Sequence, residues 1–258
     1  MKVVILAGGM GSRISEESRL RPKPMIEIGG KPVLWHIMKI YASQGFQDFV
    51  VCCGYKGTVI KKYFVDYYRN TSDISVSLRE NEKHPLESAR EQWKVTLINT
   101  GLHTLTAGRV LRVRDYLGEE PFMLTYGDGV GDVNLHKLLE FHYSHKKTAT
   151  ITAAKPAGRW GNIQIDEESG NVMAFREKNQ VDTAWVNAGF AVFNKEIFDY
   201  LGDGSSMLEN APYEALVRDG QMAACRHEGF WHPMDTMRDK SVLEGLWTSG
   251  SAPWKVWE

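Results

Sequence analysis

The chain has 258 residues, 43% of them hydrophobic and 24% charged, a balance that supports a sizeable core and excludes both a disordered chain and a disulfide-stapled mini-protein. Thirty-one Lys and Arg against 32 Asp and Glu leave a net charge of −1, so no global field draws the protein to nucleic acid or to an anionic membrane, and neither partner is expected. Cys52, Cys53 and Cys225 are odd in number, and the first two are adjacent in an apolar stretch, which reads as reduced core residues. The opening apolar run is too short for a signal-peptide core, and no run approaches the ~18 residues of a membrane span, so a cytoplasmic protein is expected.

Residues 3–7 are a continuous apolar run ended by Gly8 and Gly9, the pattern of a strand buried on both faces. Pro32 starts a helix carrying Leu34, Ile37, Met38 and Tyr41 up to Gly45, and residues 49–53 are a second apolar strand. A helix with Val59, Ile60, Tyr63, Phe64 and Tyr67 then leads to the alternating strand of Ile74, Val76 and Leu78 and to a polar excursion through Pro85. Strand character returns at 93–99, a helix follows near Val110 to Leu117, and the strand 122–126 ends in Gly127-Asp128-Gly129. Past Thr148 the elements become shorter, with strands at 150–154, 162–166, 172–175 and 184–193 and closing helices at 208–218 and 236–247. Alternating strands and helices predict an α/β fold with a doubly wound, mostly parallel, Rossmann-like sheet and a smaller β-rich portion. Such sheets hold ligands beyond the carboxyl ends of their strands, and the first glycine loop and Asp128 share that edge.

The loop after the first strand is Leu6-Ala7-Gly8-Gly9-Met10-Gly11-Ser12-Arg13. Its glycines allow a tight turn whose N–H groups point at a phosphate, and Arg13 adds a fork of donors. A dinucleotide fingerprint read from Gly9 would need glycine where Ile14 stands, and no Gly-Lys-Ser/Thr follows to make a P-loop. Arg21-Pro22-Lys23-Pro24 then holds Lys23 between two prolines, which suits a lysine aimed at one place. Taken singly, the first motif also fits a plain strand-to-helix turn and the second a solvated lysine.

Together with Gly29-Gly30-Lys31-Pro32, these residues resemble the opening of the sugar nucleotidyltransferases, the nucleoside-diphosphate-sugar pyrophosphorylases. Tyr126-Gly127-Asp128, Phe175-Arg176-Glu177-Lys178, Val186-Asn187-Ala188-Gly189-Phe190 and Met234-Asp235-Thr236 extend the likeness along the chain. Ser12 stands where Thr is commoner and Ile14 where Leu is commoner. Residues 34–39, 99–101, 126–129, 229–236 and 252–255 are most similar to the members that use CTP and α-D-glucose 1-phosphate. The resemblance implies transfer of CMP to the sugar phosphate, giving CDP-glucose and pyrophosphate for bacterial surface polysaccharide. With no Pro/Ser-rich linker, repeat or low-complexity tract in the chain, one domain is expected, with a nucleotide-binding half over about 1–147 and a sugar-phosphate half over 148–258. The rivals are the same chemistry with dTTP, UTP or another sugar phosphate, and a non-catalytic paralogue that senses a sugar nucleotide.

A phosphomonoester has its second pKa at ~6, so its attacking oxygen needs no general base. The obstacle is the approach of a dianion to a triphosphate, which cations must relieve. Arg13 and Lys23 fit that task on the nucleotide and Lys178 on the sugar phosphate. Asp128 and Asp235 are natural Mg²⁺ ligands, because Mg²⁺ is usually held by one or two carboxylates plus substrate phosphate; each alone also fits a turn residue or a helix cap, and Asp132 is a weaker candidate. The resemblance further assigns Leu6, Ala7, Gly8, Gly9, Gly11, Ser12, Thr100, Gly108 and Arg109 to the nucleotide, and Tyr126, Gly161, Glu177 and Asn187 to the sugar phosphate. His136, His142 and His145 on one helix lack a cysteine partner and read as a solvated face. Trp247, Trp254 and Trp257 read as packing against the body, with a subunit contact in a homo-oligomer as the second reading.

Overall fold

The computed structural model describes residues 1–11, 14–67, 74–77, 82–85, 91–156, 162–165, 172–176 and 184–257. In chain order the elements begin with β1 (Lys2–Ala7), α1 (Ser15–Ser18), β2 (Glu27–Ile28), β3 (Lys31–Pro32), α2 (Val33–Ala42), β4 (Asp48–Cys53) and α3 (Gly57–Val65). They continue with β5 (Ile74–Ser77), β6 (Glu82–Pro85), β7 (Lys94–Asn99), α4 (Thr106–Arg112), β8 (Phe122–Tyr126), β9 (Gly129–Gly131) and α5 (Leu135–His145). After these come β10 (Ala149–Ala154), β11 (Asn162–Ile165), β12 (Val172–Arg176), β13 (Val186–Phe193), α6 (Ala211–Arg218), β14 (Met222–His227), β15 (Trp231–Pro233) and α7 (Met237–Thr248).

Seven strands form the central sheet in the order β14-β10-β13-β8-β1-β4-β7. Only β13 opposes its neighbours; the other pairings are parallel. The expected α/β architecture is therefore present. Successive side chains of a strand face opposite ways, and the core divides accordingly. Val3, Ile5, Val51 and Cys53 enter one apolar layer with α2, α5 and α7, whereas Val4, Leu6, Val50 and Cys52 enter the other with α4 and α6. The three cysteines are buried thiols, and burial pushes Cys53 up to about 11, so at neutral pH it stays protonated and packs as a small apolar group.

Three features depart from the sequence reading. The alternating residues near Ile74 add no strand to the central sheet; β5 pairs with β6 as a separate antiparallel hairpin, and β7 takes the place beside β4. The edge strand β14 is not expected from the sequence, because Met222-Ala223-Ala224-Cys225-Arg226-His227 offers only a four-residue apolar run without β-branched or aromatic residues, and no strict alternation. The histidines of α5 are not all solvated. His142 is buried, its Nδ1 2.8 Å from Thr150 Oγ1 and its Nε2 3.1 Å from Asn194 Oδ1, and His145 Nε2 lies 2.7 Å from the same hydroxyl.

The Gly29-Gly30 motif has a structural task. Both residues have positive φ, 58° and 73°, which closes the two-residue turn between β2 and β3. The turn lies against α7: Glu244 accepts the Gly29 N–H at 3.0 Å, and a Cβ on Gly29 would strike the Trp247 indole. Behind it, buried His36 is enclosed by Trp35, Trp247, Trp254 and Trp257. Its Nε2 is 2.8 Å from the Ile28 carbonyl, and its Nδ1 accepts from the fully buried Trp254 indole at 3.3 Å. These partners require the neutral tautomer protonated at Nε2. The C-terminal tryptophans thus pack on the body. Among the described residues, no helix is long and apolar enough to cross a membrane.

Burial pulls His36 down to about 4. The unfolded chain, whose histidine titrates near ~6.5, binds a proton that the folded chain refuses. Stability is therefore full above pH ~6.5 and falls by up to about 3 kcal/mol as the pH drops toward 4. Urea unfolding between pH 7.5 and 4.5 is expected to show this loss in the wild type. His36→Gln should start less stable and lose less across the same window; parallel curves would move the effect to His142 and His145, which burial also shifts downward.

Candidate active site

The glycine loop leaves β1 at the sheet edge where β8 also ends, and the two strands pair in parallel from Val3 with Met123 to Leu6 with Tyr126. A cavity of about 300 Å³ opens beyond their carboxyl ends, lined by Gly8, Gly9, Gly11, Lys23, Tyr126 and Asp128. That volume is at the lower end for small-molecule sites. Leu6, Ala7 and Arg109 also line it, as does the wall formed by Thr104, Leu105, Thr106 and Met207.

Arg109 lies beneath the glycine loop and is only 4% exposed. Its Nη2 donates to the Gly8 carbonyl at 2.9 Å, and its Nη1 donates to Thr100 Oγ1 at 2.7 Å and the Gly101 carbonyl at 2.9 Å. Thr100 passes the chain on by donating to the Cys53 carbonyl at 2.8 Å. One guanidinium thus gathers the ends of β1, β4 and β7, and Gly8 has no room for a Cβ because Arg109 fills that space. Burial lowers the Arg109 pKa, yet guanidinium remains a cation in proteins, so the loop rests on a fixed positive charge.

The second cation is Lys23, 7% exposed. Pro22 and Pro24 bracket it at the start of a single 3-10 turn, Lys23–Met25. Its Nζ donates to Asp128 Oδ2 and to Asp235 Oδ1, both at 2.6 Å. The two carboxylates are far apart in sequence, and backbone pairing brings them together. β9 and β15 pair antiparallel with Gly129 opposite Pro233, and one residue further on the Met234 N–H donates to the Asp128 carbonyl at 2.8 Å. Asp235 is not the cap of α7. Thr236 holds that place in a capping box with Asp239, which leaves the Asp235 side chain to face Lys23. Two hard oxygen donors converging on one cation position fit Mg²⁺, which retains water and takes its remaining ligands from phosphate. Among the described residues, no cluster of three or more His, Cys, Asp and Glu forms a fuller metal cage.

Of the remaining expected residues, Thr100 and Gly108 do not line the cavity: Thr100 orients Arg109, and Gly108 packs against Gly204. Asn187 also lies apart from it, its Oδ1 accepting the Gly189 N–H at 2.9 Å. Asp132 is 3.1 Å from His227 Nε2 and has no bond to Lys23. Ser12, Arg13, Gly161, Glu177 and Lys178 lie outside the described residues. Sequence reasoning missed Pro24, Thr104, Leu105, Gly127 and Met207 as lining residues and Glu209 behind them, whose carboxylate accepts from Tyr126 and Thr106. The Leu105 and Met207 side chains, large and exposed at the cavity wall, were the available signal only once the fold was known.

Sequence comparison gives 48% identity over 259 residues, covering both chains completely, with a glucose-1-phosphate cytidylyltransferase of Salmonella typhi. A probable glucose-1-phosphate cytidylyltransferase of Bacillus subtilis is 42% identical over 258 residues, again over both full lengths. Among solved structures, a putative glucose-1-phosphate thymidylyltransferase from Bacillus anthracis, in complex with sucrose, superposes with a TM-score of 0.70 at 16% identity. That alignment covers 100% of this chain and 97% of the other, and it establishes a shared fold. The sequence pattern of the nucleotidyl transferase family matches residues 2–239, and the chain belongs to that family.

Proposed function

We propose that the protein is a Mg²⁺-dependent glucose-1-phosphate cytidylyltransferase. The observation that carries the chemistry is the seating of Lys23 between Asp128 and Asp235; Lys23 and Asp128 both line the glycine-loop cavity. The full-length identity to relatives named for this activity supports the choice of CTP and glucose 1-phosphate.

An oxygen of the sugar phosphate attacks the α-phosphorus of CTP in line with the bridging oxygen to the β-phosphate. The new P–O bond forms as that bond breaks, and pyrophosphate leaves with its electron pair. The nucleophile is already ionised at neutral pH, so the protein's work is charge and position. Backbone N–H groups of the Gly8–Gly11 turn receive phosphate oxygens, and Arg109 holds that turn in place from below. Lys23 and Arg13 offset charge on the triphosphate and the departing pyrophosphate. Lys178 receives the sugar phosphate, Glu177 accepts from glucose hydroxyls, and Tyr126, Asn187 and Gly161 complete that side. The wall of Thr104, Leu105 and Thr106 is the side for the base. Asp128 and Asp235 would hold Mg²⁺, which supplies charge neutralisation and a template for the phosphates.

Pyrophosphate release with glucose 1-phosphate and Mg²⁺, run separately with CTP, UTP, dTTP, ATP and GTP, tests the reaction. A preference for CTP of tenfold or more in kcat/KM is expected. Preference for another nucleotide would keep the mechanism and overturn the base, and release with none of them, over a panel of sugar 1-phosphates, would give the lead to a binding-only paralogue.

The Lys23 ammonium shares the oxygens that a metal would use, so the two cations compete in the absence of nucleotide. Lys23→Ala should bind Mn²⁺ several-fold more tightly than the wild type in nucleotide-free protein, measured by titration with EPR detection, while turnover falls by two or more orders of magnitude. Asp128→Asn and Asp235→Asn should each weaken Mn²⁺ binding at least tenfold. Unchanged affinity in all three variants would remove the metal from this position.

A further inference from the structure

We infer that Glu209 is a positioning residue that fixes the separation between β8 and α4 where they line the nucleotide cavity, an inference that rests on the proposed transfer reaction. Glu209 lies in the segment between β13 and α6. One carboxylate oxygen accepts from the Tyr126 hydroxyl and the other accepts from Thr106 Oγ1 at 2.9 Å. The Thr106 hydroxyl is fixed from a second side, since the Leu208 N–H donates to it at 2.6 Å.

These two partners come from different elements of the cavity lining. Tyr126 ends β8, two residues before Asp128. Thr106 is the first residue of α4, and Arg109 follows three residues later, on the same side of the helix. One carboxylate therefore ties the strand end that carries Asp128 to the helix start that carries Arg109. Backbone contact seats the segment as well: a Cβ on Gly108 would lie 2.5 Å from the Gly204 carbonyl oxygen. Thr106, Tyr126 and Met207 face the cavity, whereas Glu209 does not line it. Its action is indirect, through the side chains it holds. A carboxylate suits this place because it is acceptor-only, so both hydroxyls must donate to it and their lone pairs turn to other donors: the Leu208 N–H at Thr106, and any substrate donor at Tyr126.

A nucleotide occupying this cavity reaches from the Thr104–Arg109 side to Lys23 and Asp128. Loosening the tie displaces its two ends relative to one another, which weakens binding and misaligns the α-phosphorus together. The test compares Glu209→Ala, Glu209→Gln, Tyr126→Phe and the Glu209→Ala/Tyr126→Phe double variant, reading equilibrium CTP binding by calorimetry, kcat and KM for each substrate, and the thermal midpoint. Glu209→Ala should weaken CTP binding about tenfold and lower kcat/KM for CTP by more than tenfold, with a thermal midpoint within a few degrees of the wild type. Glu209→Gln, which still accepts from one hydroxyl, should recover to within about threefold of the wild type. The double variant should be no worse than Glu209→Ala by more than twofold, since both substitutions cut the same tie. Wild-type CTP affinity and kcat/KM in Glu209→Ala, a loss matched only by a fall in thermal midpoint, or multiplicative effects in the double variant would each overturn the inference. If the wild type transfers from a different nucleotide, the comparison is made with that one. If it transfers from none, the reaction is wrong while binding of the tightest-binding nucleotide still decides the role of Glu209.

Discussion

Lys23 touches two carboxylates at 2.6 Å and is almost wholly withdrawn from solvent, and the rest of the site is arranged around that contact. The lysine is buried while the two carboxylates are partly exposed, and removing it would leave two like charges facing each other without compensation, so the three stretches of chain that meet here are held to one another. Each has its own restraint. Prolines fix the lysine's backbone, the β9–β15 pairing sets Asp128 beside Asp235, and the Thr236–Asp239 capping box fixes the helix that Asp235 precedes. The arrangement keeps two like charges close before any substrate arrives. Electrostatic stabilisation by such prearranged groups requires no reorganisation at the moment of reaction.

The second cation works in the opposite way. Arg109 meets carbonyl and hydroxyl oxygens rather than a carboxylate, so its charge is not cancelled by the residues that hold it. The β1–α1 connection carries the glycine loop over this guanidinium, whose Nη groups already bind the Gly8, Thr100 and Gly101 oxygens. Its role is to fix the shape of the loop and to bias the cavity toward anions. Among the described residues, the cavity therefore combines a cation neutralised by two carboxylates with a cation held by neutral oxygens alone.

Legibility from sequence followed the physics of each element. Strands β1, β4 and β8 were readable because burial on both faces demands unbroken apolar runs, and the glycine loop because Gly8 has no space for a side chain and Gly11 takes positive φ. The three-residue strands β9 and β15 carry no periodicity at all, yet they place the two aspartates together; Asp128 and Asp235 were identified by resemblance, and their meeting with Lys23 was not foreseen. The α5 helix misled through composition. Histidine is polar enough to suggest a wet face, but a neutral imidazole is satisfied by two partners, and Thr150 and Asn194 supply them to His142. Glu209 sits in a segment of no regular pattern, where no spacing rule distinguishes a tie between two elements from a solvated carboxylate.

The Gly-Gly-Lys-Pro stretch belongs to the family's opening pattern but does not line the glycine-loop cavity. Its glycines make a turn that only a residue free to adopt positive φ can close, and the turn seats α7 through Glu244 and Trp247. Helix α7 begins with the capping box that follows Asp235. The C-terminal tryptophans close over His36 on the same side, so the packing that buries this histidine also sets the helix start behind the second carboxylate. The turn thus helps to hold Asp235 in place through packing on α7, at a distance from the contact that Asp235 makes with Lys23.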